Sequence, residues 1–166
     1  FFLLRKYFHV YLEKYQKMGV LTYKIIKKHT FEQSLWVSQM AKDATTKYGA
    51  THLFHCDADE FWYSNSGNLK DHLPKKNEIY YISLVNYLPP SIKNQKFSFN
   101  NFKYLVDKPI NYPETNKQKS FELLFYKYPK KILTPSSFNE ITMGNHDVIS
   151  KKEFLKVNLE DEILIH

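Results

Sequence analysis

The sequence predicts a single α/β domain in which a mixed, mostly parallel sheet is flanked by helices. Hydrophobic residues make up 43% of the 166 residues, and aromatic residues 17%, which is enough to build a core. Helix-like and strand-like runs alternate up to about residue 60, and several short strand-like runs follow after residue 120. This order is typical of a sheet covered by helices.

The first predicted elements are a helix and a strand. Residues 1–17 mix basic and aromatic side chains in an amphipathic helical pattern, which is interrupted by charge too early to span a bilayer. Gly19 is the expected end of this helix. The segment "VLTYKII" at 20–26 is rich in β-branched and aromatic residues and therefore predicts a strand.

A second helix and a second strand follow. The helix is predicted over 30–48, because Thr30 and Gln33 form a capping-box pattern and Gly49 is a stop signal. The run "THLFHC" then predicts a short internal strand at 52–56. Strand, helix and strand in this order are typical of a parallel sheet, with the next residues at the carboxyl end of the strand.

The second half of the chain predicts one longer strand, a long excursion and a group of short strands. Residues 78–88 are the longer strand, which Pro89 and Pro90 end. Residues 91–120 are rich in Asn, Lys and Pro and predict a long loop. The closing strands are expected in "FELLFYK", "KKILT", "EITMG", "HDVIS" and "EILIH".

Charge and cysteine content narrow the function classes. The net charge is +7, but the lysines occur as scattered doublets, which is more typical of solvated surface than of a nucleic-acid site. Cys56 is the only cysteine in the sequence, so an intramolecular disulfide and a multi-cysteine zinc site are excluded. We expect a cytoplasmic protein without a nucleic-acid partner, and the basic charge leaves open a peripheral association with the inner face of a membrane.

An acidic cluster follows the strand at 52–56. In Asp57-Ala58-Asp59 the two carboxylates are two residues apart, so in extended backbone they project to the same side, where one cation can bridge them. Oxygen ligands favour Mg²⁺ or Mn²⁺, and strand carboxyl ends are where ligands collect in α/β sheets. The alternative interpretation is an acidic surface turn.

Three separated segments resemble bacterial glycosyltransferase family 2-like proteins. "SLWVSQMAKDATTKYGATHLFHCDADEFW" is similar to their Asp-x-Asp segment, "FNEITMGNHDV" to their Gly-Asn-His segment, and "ILIH" to the start of a following strand that contains a histidine. The match covers about residues 30–63 and 130–166. The resemblance implies a GT-A fold, a nucleotide-diphosphate-sugar donor, and a divalent cation held by the Asp-x-Asp motif.

The resemblance also implies roles for individual residues. Asp59 is expected to be the direct metal ligand, and Asp57 to contact the ribose or a metal-bound water. His166 or His146 would complete the coordination. The implied reaction is sugar transfer, with inversion at the anomeric carbon, to the hydroxyl of a glycan or lipid-linked acceptor in polysaccharide biosynthesis.

The same comparison predicts a partial domain. Members of the group begin with a strand whose acidic and Asn or Ser residues hold the nucleotide base, and no segment before Phe1 supplies it here. His166 is the last residue, in the middle of a motif. The sequence is therefore expected to be a domain truncated at both ends.

Direct displacement requires a base for the acceptor hydroxyl, and Asp147 and Glu140 are the candidates. Glu60 is either a hydrogen-bond acceptor behind the metal ligands or one half of a salt bridge. Trp62 and its neighbour Tyr63 could stack on a sugar face or belong to the core.

Two other functions remain as alternatives. A metal-dependent nuclease or nucleotidyltransferase also places carboxylates at a strand end, but it needs a second acidic motif, for which Asp107, Asp147 and Asp161 are only scattered candidates. A non-catalytic glycan-binding module would use the lysines and aromatic residues alone.

Overall fold

In a computed structural model the chain divides into two compact units, residues 1–31 and 32–166. The prediction of one domain over the whole chain stays a prediction. No helix among the described residues is long and apolar enough to cross a membrane. The structure describes residues 2–26, 31–57, 60–88, 104–111, 125–138, 140–159 and 163–165.

The first unit contains helix α1, Phe2–Lys17, as predicted. Gly19 follows it with a φ of +69°, a left-handed conformation that is favourable for glycine at the end of a helix. The predicted strand at 20–26 is wrong, because these residues form neither helix nor strand. Val20 and Ile25 are exposed there, and a β-rich composition does not make a strand without a partner to pair with.

The second unit begins with helix α2, Gln33–Tyr48, which ends at Gly49 as predicted. Its start differs from the prediction. Glu32 is the N-cap residue, without a side-chain capping bond, and Gln33 turns its side chain toward Asp57. Thr30, the other half of the predicted capping box, lies outside the described residues.

The described residues of the second unit form a central sheet of four strands, in the spatial order β1 (His52–Phe54), β6 (Lys131–Pro135), β3 (Glu78–Ile82) and β9 (Leu155–Leu159). It is a mixed sheet, as predicted, but it is not mostly parallel. Only β3 and β9 pair in parallel, and the other two neighbouring pairs are antiparallel. Within the described residues β1 is an edge strand, so its predicted internal position is wrong.

Three two-stranded antiparallel ladders accompany this sheet in the part of the unit that the structure describes. The single strand predicted over 78–88 forms two strands. The first is β3, which ends at Ile82. The second, at 87–88, pairs with residues 104–105 of the predicted loop 91–120. Most of that loop, and residues 121–124 of "FELLFYK", lie outside the described residues. Strands were not predicted at 62–64 and 155–159. The ladders pair β2 (Trp62–Ser64) with β10 (Ile163–Ile165), β4 (Tyr87–Leu88) with β5 (Tyr104–Leu105), and β7 (Glu140–Ile141) with β8 (Val148–Ile149).

Strand β6 lies at the centre of the core. Ile132 and Leu133 are both 0% exposed and belong to two separate hydrophobic clusters. Ile132 packs with Ala41 of α2, Ile79 and Ile141. Leu133 packs with Ile82, because neighbouring side chains of a strand point to opposite faces of the sheet. The sheet therefore has apolar contacts on both faces.

Candidate functional site

The acidic turn follows β1 at the point where β6 begins. Strands β1 and β6 are antiparallel, with Phe54 opposite Leu133, so the chain that leaves β1 runs past the start of β6. This register brings Lys131 to Asp57, with Nζ 2.6 Å from Oδ2. The same ammonium group lies 2.9 Å from Oε1 of Glu60. One lysine therefore bridges two carboxylates of the turn.

The turn is also closed by its own backbone. The amide of Asp57 donates to Oε2 of Glu60 at 2.9 Å, and the amide of Glu60 donates to the carbonyl of Asp57 at 3.1 Å. Asp59 lies between these two residues in sequence, outside the described residues. Its predicted role as the direct metal ligand therefore stays a prediction.

Two amide side chains reach Asp57 from other parts of the fold. Gln33 Nε2 and Asn145 Nδ2 each donate to Oδ1 of Asp57 at 3.3 Å. Gln33 also accepts a bond from the amide of Gly144 through Oε1, at 2.9 Å. The first residue of α2 thus connects the acidic turn to the Gly-Asn-His segment. We call Asp57, Glu60, Lys131, Gln33 and Asn145 the Asp57 cluster.

Burial differs strongly across the Asp57 cluster. The Lys131 side chain is 4% exposed and the Glu60 side chain 10%, whereas Asp57 is 37% exposed. Burial by itself lowers the pKa of Lys131, but the hydrogen bonds to Asp57 and Glu60 outweigh it and raise that pKa above its usual value. The lysine is therefore charged at neutral pH, and Asp57 is the carboxylate that faces solvent.

Asn145 is held in an unusual backbone conformation. Its φ is +61°, which is uncommon for a residue other than glycine, although Asn tolerates it better than most. The residue is 2% exposed. Among the described residues its Oδ1 has no hydrogen-bond partner. A buried polar side chain with one unbonded oxygen, on a residue of positive φ, makes Asn145 a candidate site residue.

His146 follows Asn145, but it makes a different contact. Its Nδ1 lies 2.9 Å from the carbonyl of Lys130, and because a carbonyl only accepts, Nδ1 carries the proton. In the neutral ring Nε2 is then the nitrogen with a free lone pair, as a metal ligand or base requires. The Gly-Asn-His segment does reach the acidic turn, through Asn145. The predicted place of His146 or His166 beside Asp59 stays a prediction, because Asp59 and His166 lie outside the described residues.

The candidate bases lie in other surroundings. Asp147 accepts hydrogen bonds from Tyr81 Oη and Lys156 Nζ, each at 2.6 Å, and from the Val148 amide at 2.8 Å. Burial raises the pKa of its carboxyl, but these bonds prevail and hold the pKa below its usual value. Glu140 is exposed on β7. Neither makes a polar contact with the Asp57 cluster within the described residues.

Trp62 packs as a core residue. Its ring meets Phe54 edge-on, with the centroids 5.2 Å apart, and contacts the cluster of Ile82 and Leu133. This packing agrees with the core alternative for Trp62. Tyr63 is 52% exposed on the same strand.

The described residues offer the type of ligand that a divalent cation prefers, but too few of these ligands to hold it alone. Asp57 offers carboxylate oxygen, the ligand type that Mg²⁺ and Mn²⁺ prefer, and one or two carboxylates are enough for Mg²⁺ when phosphates and waters supply the rest. Against this, Lys131 already lies on Asp57. No group of three His, Cys, Asp or Glu side chains that could hold a metal occurs in the part of the chain that the structure describes.

Three members of the Asp57 cluster were not predicted as site residues. Lys131 belongs to a lysine doublet that was predicted to lie on the surface. Gln33 was predicted to be part of a helix cap, and Asn145 was only the neighbour of the candidate ligand His146. Asn145 had a usable signal, because it lies inside the Gly-Asn-His segment that resembles the glycosyltransferases. Gln33 and Lys131 lie within the matched ranges 30–63 and 130–166, but outside the three segments that carry the resemblance. No protein-family model, curated protein or solved structure matches this chain.

Proposed function

We propose that this chain carries the donor-binding part of a metal-dependent glycosyltransferase of the GT-A type. The observation that supports this proposal is the convergence of Gln33, Lys131 and Asn145 on Asp57, at the head of the Asp-x-Asp motif. These residues are 24, 74 and 88 positions away from Asp57 in sequence. An acidic surface turn needs no such set of partners, since water satisfies exposed carboxylates.

In this proposal the cation is Mn²⁺ or Mg²⁺, held by Asp59, with Asp57 beside it. When bound, the cation neutralises charge on the diphosphate that leaves the sugar. Asp57 is fixed in one orientation by Lys131, Gln33 and Asn145, so no conformational freedom is lost when a ligand meets it. His146 would offer Nε2 to the coordination, because its Nδ1 is already bonded to the carbonyl of Lys130.

The residues also limit the choice of base. Asp147 uses three hydrogen bonds and has a lowered pKa, which makes it a poor acceptor for the proton of a hydroxyl. Glu140 is free of such contacts in the described residues and remains the better of the two candidates. The acceptor, a glycan or a lipid-linked sugar, and the inverting outcome follow from the family resemblance alone.

Calorimetric titration of UDP and GDP tests the proposal, with Mn²⁺ and with a chelator in its place. Binding is expected only with the metal, because carboxylates and diphosphates repel each other. Asp59→Asn should weaken binding by at least about tenfold, since even residues that only support metal ligands have effects of that order. The matched control is Asp107→Asn, which removes the same charge from an exposed position and should bind as the wild type does.

Thermal melting of the same variants completes the test. Metal-free Asp59→Asn should melt at or slightly above the wild-type temperature, because neutralising it relieves repulsion with neighbouring carboxylates. Binding of nucleotide without metal would contradict the proposal. So would an Asp59→Asn protein that unfolds early but binds normally. Affinity for oligosaccharides alone, with no response to nucleotide, would favour the glycan-binding alternative.

A further inference from the structure

We propose that Lys131 is a positioning residue, the internal cation that holds the acidic turn in its binding geometry before any metal or diphosphate arrives. The inference rests on the proposed function for the identity of the ligand, but its structural half can be tested without one. It assigns a role to a residue that the sequence places among ordinary surface lysines.

The contacts of Lys131 support this role. Its ammonium group contacts one carboxylate at each end of the turn, Asp57 at 2.6 Å and Glu60 at 2.9 Å. The lysine is 3% exposed, so water contributes little to the stabilisation of its charge. A buried ammonium group is strongly unfavourable unless it is paired, and here both partners belong to the same four-residue turn.

The position of Lys131 in the fold makes it a rigid anchor. It is the first residue of β6, and the next two residues, Ile132 and Leu133, are fully buried on opposite faces of the sheet. Opposite Lys131 in the register lies Ile82, which is also fully buried. The ammonium group therefore extends from a strand held by buried neighbours on both faces of the sheet, and it links the turn to that strand.

The positive charge of Lys131 affects both the stability of the turn and the binding of a cation there. Without Lys131, two carboxylates of the turn would have no internal counter-charge and would depend on an external cation to remain close together. With Lys131 the turn is already formed. The cost is that a positive charge lies next to the place where a divalent cation is expected, so Lys131 makes metal binding weaker while it makes the metal-free protein stable.

The test replaces this cation by an apolar chain of similar length. In the metal-free protein, Lys131→Met should melt well below the wild type, because the Asp57 and Glu60 carboxylates lose the counter-charge that they share. Mn²⁺ should restore much of the loss, and the variant should bind Mn²⁺ about tenfold more tightly than the wild type, as expected for removal of a unit charge near a divalent one. Wild-type melting should change little with Mn²⁺ by comparison.

Lys130→Met is the matched control. It removes the same charge one residue earlier, from a side chain whose ammonium group donates to Oδ1 of Asn158 at 2.9 Å. Its melting temperature and Mn²⁺ affinity should stay near the wild-type values. If Lys131→Met is too unstable to purify, Lys131→Met combined with Glu60→Gln should recover folding, because the second change removes the most buried of the unpaired charges.

The outcomes separate this inference from the proposed function. Metal-free melting of Lys131→Met equal to that of Lys130→Met would overturn the role of Lys131, whatever binds. Loss of stability in Lys131→Met with no response to Mn²⁺ in any variant would leave a purely structural ion pair and overturn both proposals. Metal-dependent nucleotide binding with equal Mn²⁺ affinity in all variants would retain the proposed function and overturn this inference.

Discussion

His55 is a buried histidine that the fold keeps neutral. It is 5% exposed, and Nε2 lies 3.1 Å from the hydroxyl of Thr134. Burial and the nearby charge of Lys131 lower its pKa from 6.5 to about 4. The neutral ring is therefore favoured at neutral pH, because burial removes the stabilising effect of bulk solvent on the charged form and Lys131 repels a second positive charge.

This pKa predicts that stability depends on pH between 6.5 and about 4. In that range the unfolded chain binds a proton at His55 and the folded chain does not, so the free energy of unfolding falls as pH falls. The loss at the low end is at most roughly 3 kcal/mol. Urea unfolding of the metal-free protein at several pH values measures it.

His55→Gln is the control for the pH effect. It keeps a polar side chain near Thr134 but cannot titrate, so the stability of this variant should depend less on pH in that range. Parallel loss of stability in the two proteins would show that other groups are responsible.

At the scale of elements, helix α2 fixes the position of the Gly-Asn-His segment. Ser34 Oγ donates to the carbonyl of Ile141, and Ser38 Oγ accepts from the amide of the same residue at 2.8 Å. Gln33 continues this line of contacts to the amide of Gly144. The first turns of the helix therefore hold residues 141–144 and place Asn145 against Asp57.

The tight turn at Gly144 predicts a large cost for a small substitution. In Gly144→Ala the added methyl group would lie 2.5 Å from Nε2 of His146, at a φ of +78°. Because His146 is also bonded to the Lys130 carbonyl, its ring cannot move away without losing that bond. We expect a loss of about 2–4 kcal/mol in the free energy of unfolding, from strain and overpacking together.

Gly67→Ala is the matched control for this variant. Gly67 has nearly the same φ, +77°, but a methyl group there meets no atom within 4 Å. The loss should be limited to the backbone term, about 1 kcal/mol. Equal losses in the two variants, measured by chemical denaturation, would mean that the His146 ring gives way freely.

At the scale of the whole molecule, β6 connects the two faces of the sheet to the site. Its Ile132 and Leu133 are fully buried in separate clusters, and Lys131 at its start reaches the acidic turn. A substitution that leaves a cavity in either cluster should therefore destabilise β6.

Ile132→Ala and Leu133→Ala should each lower the free energy of unfolding by about 2–5 kcal/mol, the range for large-to-small changes in a core. Leu155→Ala, at a position 59% exposed on β9, should stay within about 0.5 kcal/mol of the wild type. Urea denaturation of the three variants checks this. A small effect at only one of the two core positions would show that the corresponding cluster is not part of the cooperative core.

Local patterns in the sequence were enough for the elements that depend mainly on their own residues. Helix α1 with Gly19, the end of α2 at Gly49 and strand β6 were all predicted, because a helical period, a glycine stop and a short β-rich run act within a few residues. The same kind of signal failed at 20–26, where a β-rich run does not form a strand. Strand formation depends on a partner, which local composition does not specify.

The candidate site also has a part that local sequence predicts and a part that depends on tertiary structure. The sequence by itself determined that carboxylates follow β1, at the end of a strand. Only the tertiary structure decided that Lys131, one of 24 lysines and arginines, is buried between Asp57 and Glu60. The physical reason is that charge compensation across 74 residues follows from the antiparallel register of β1 and β6, and strand register is a property of the pair of strands and not of either one.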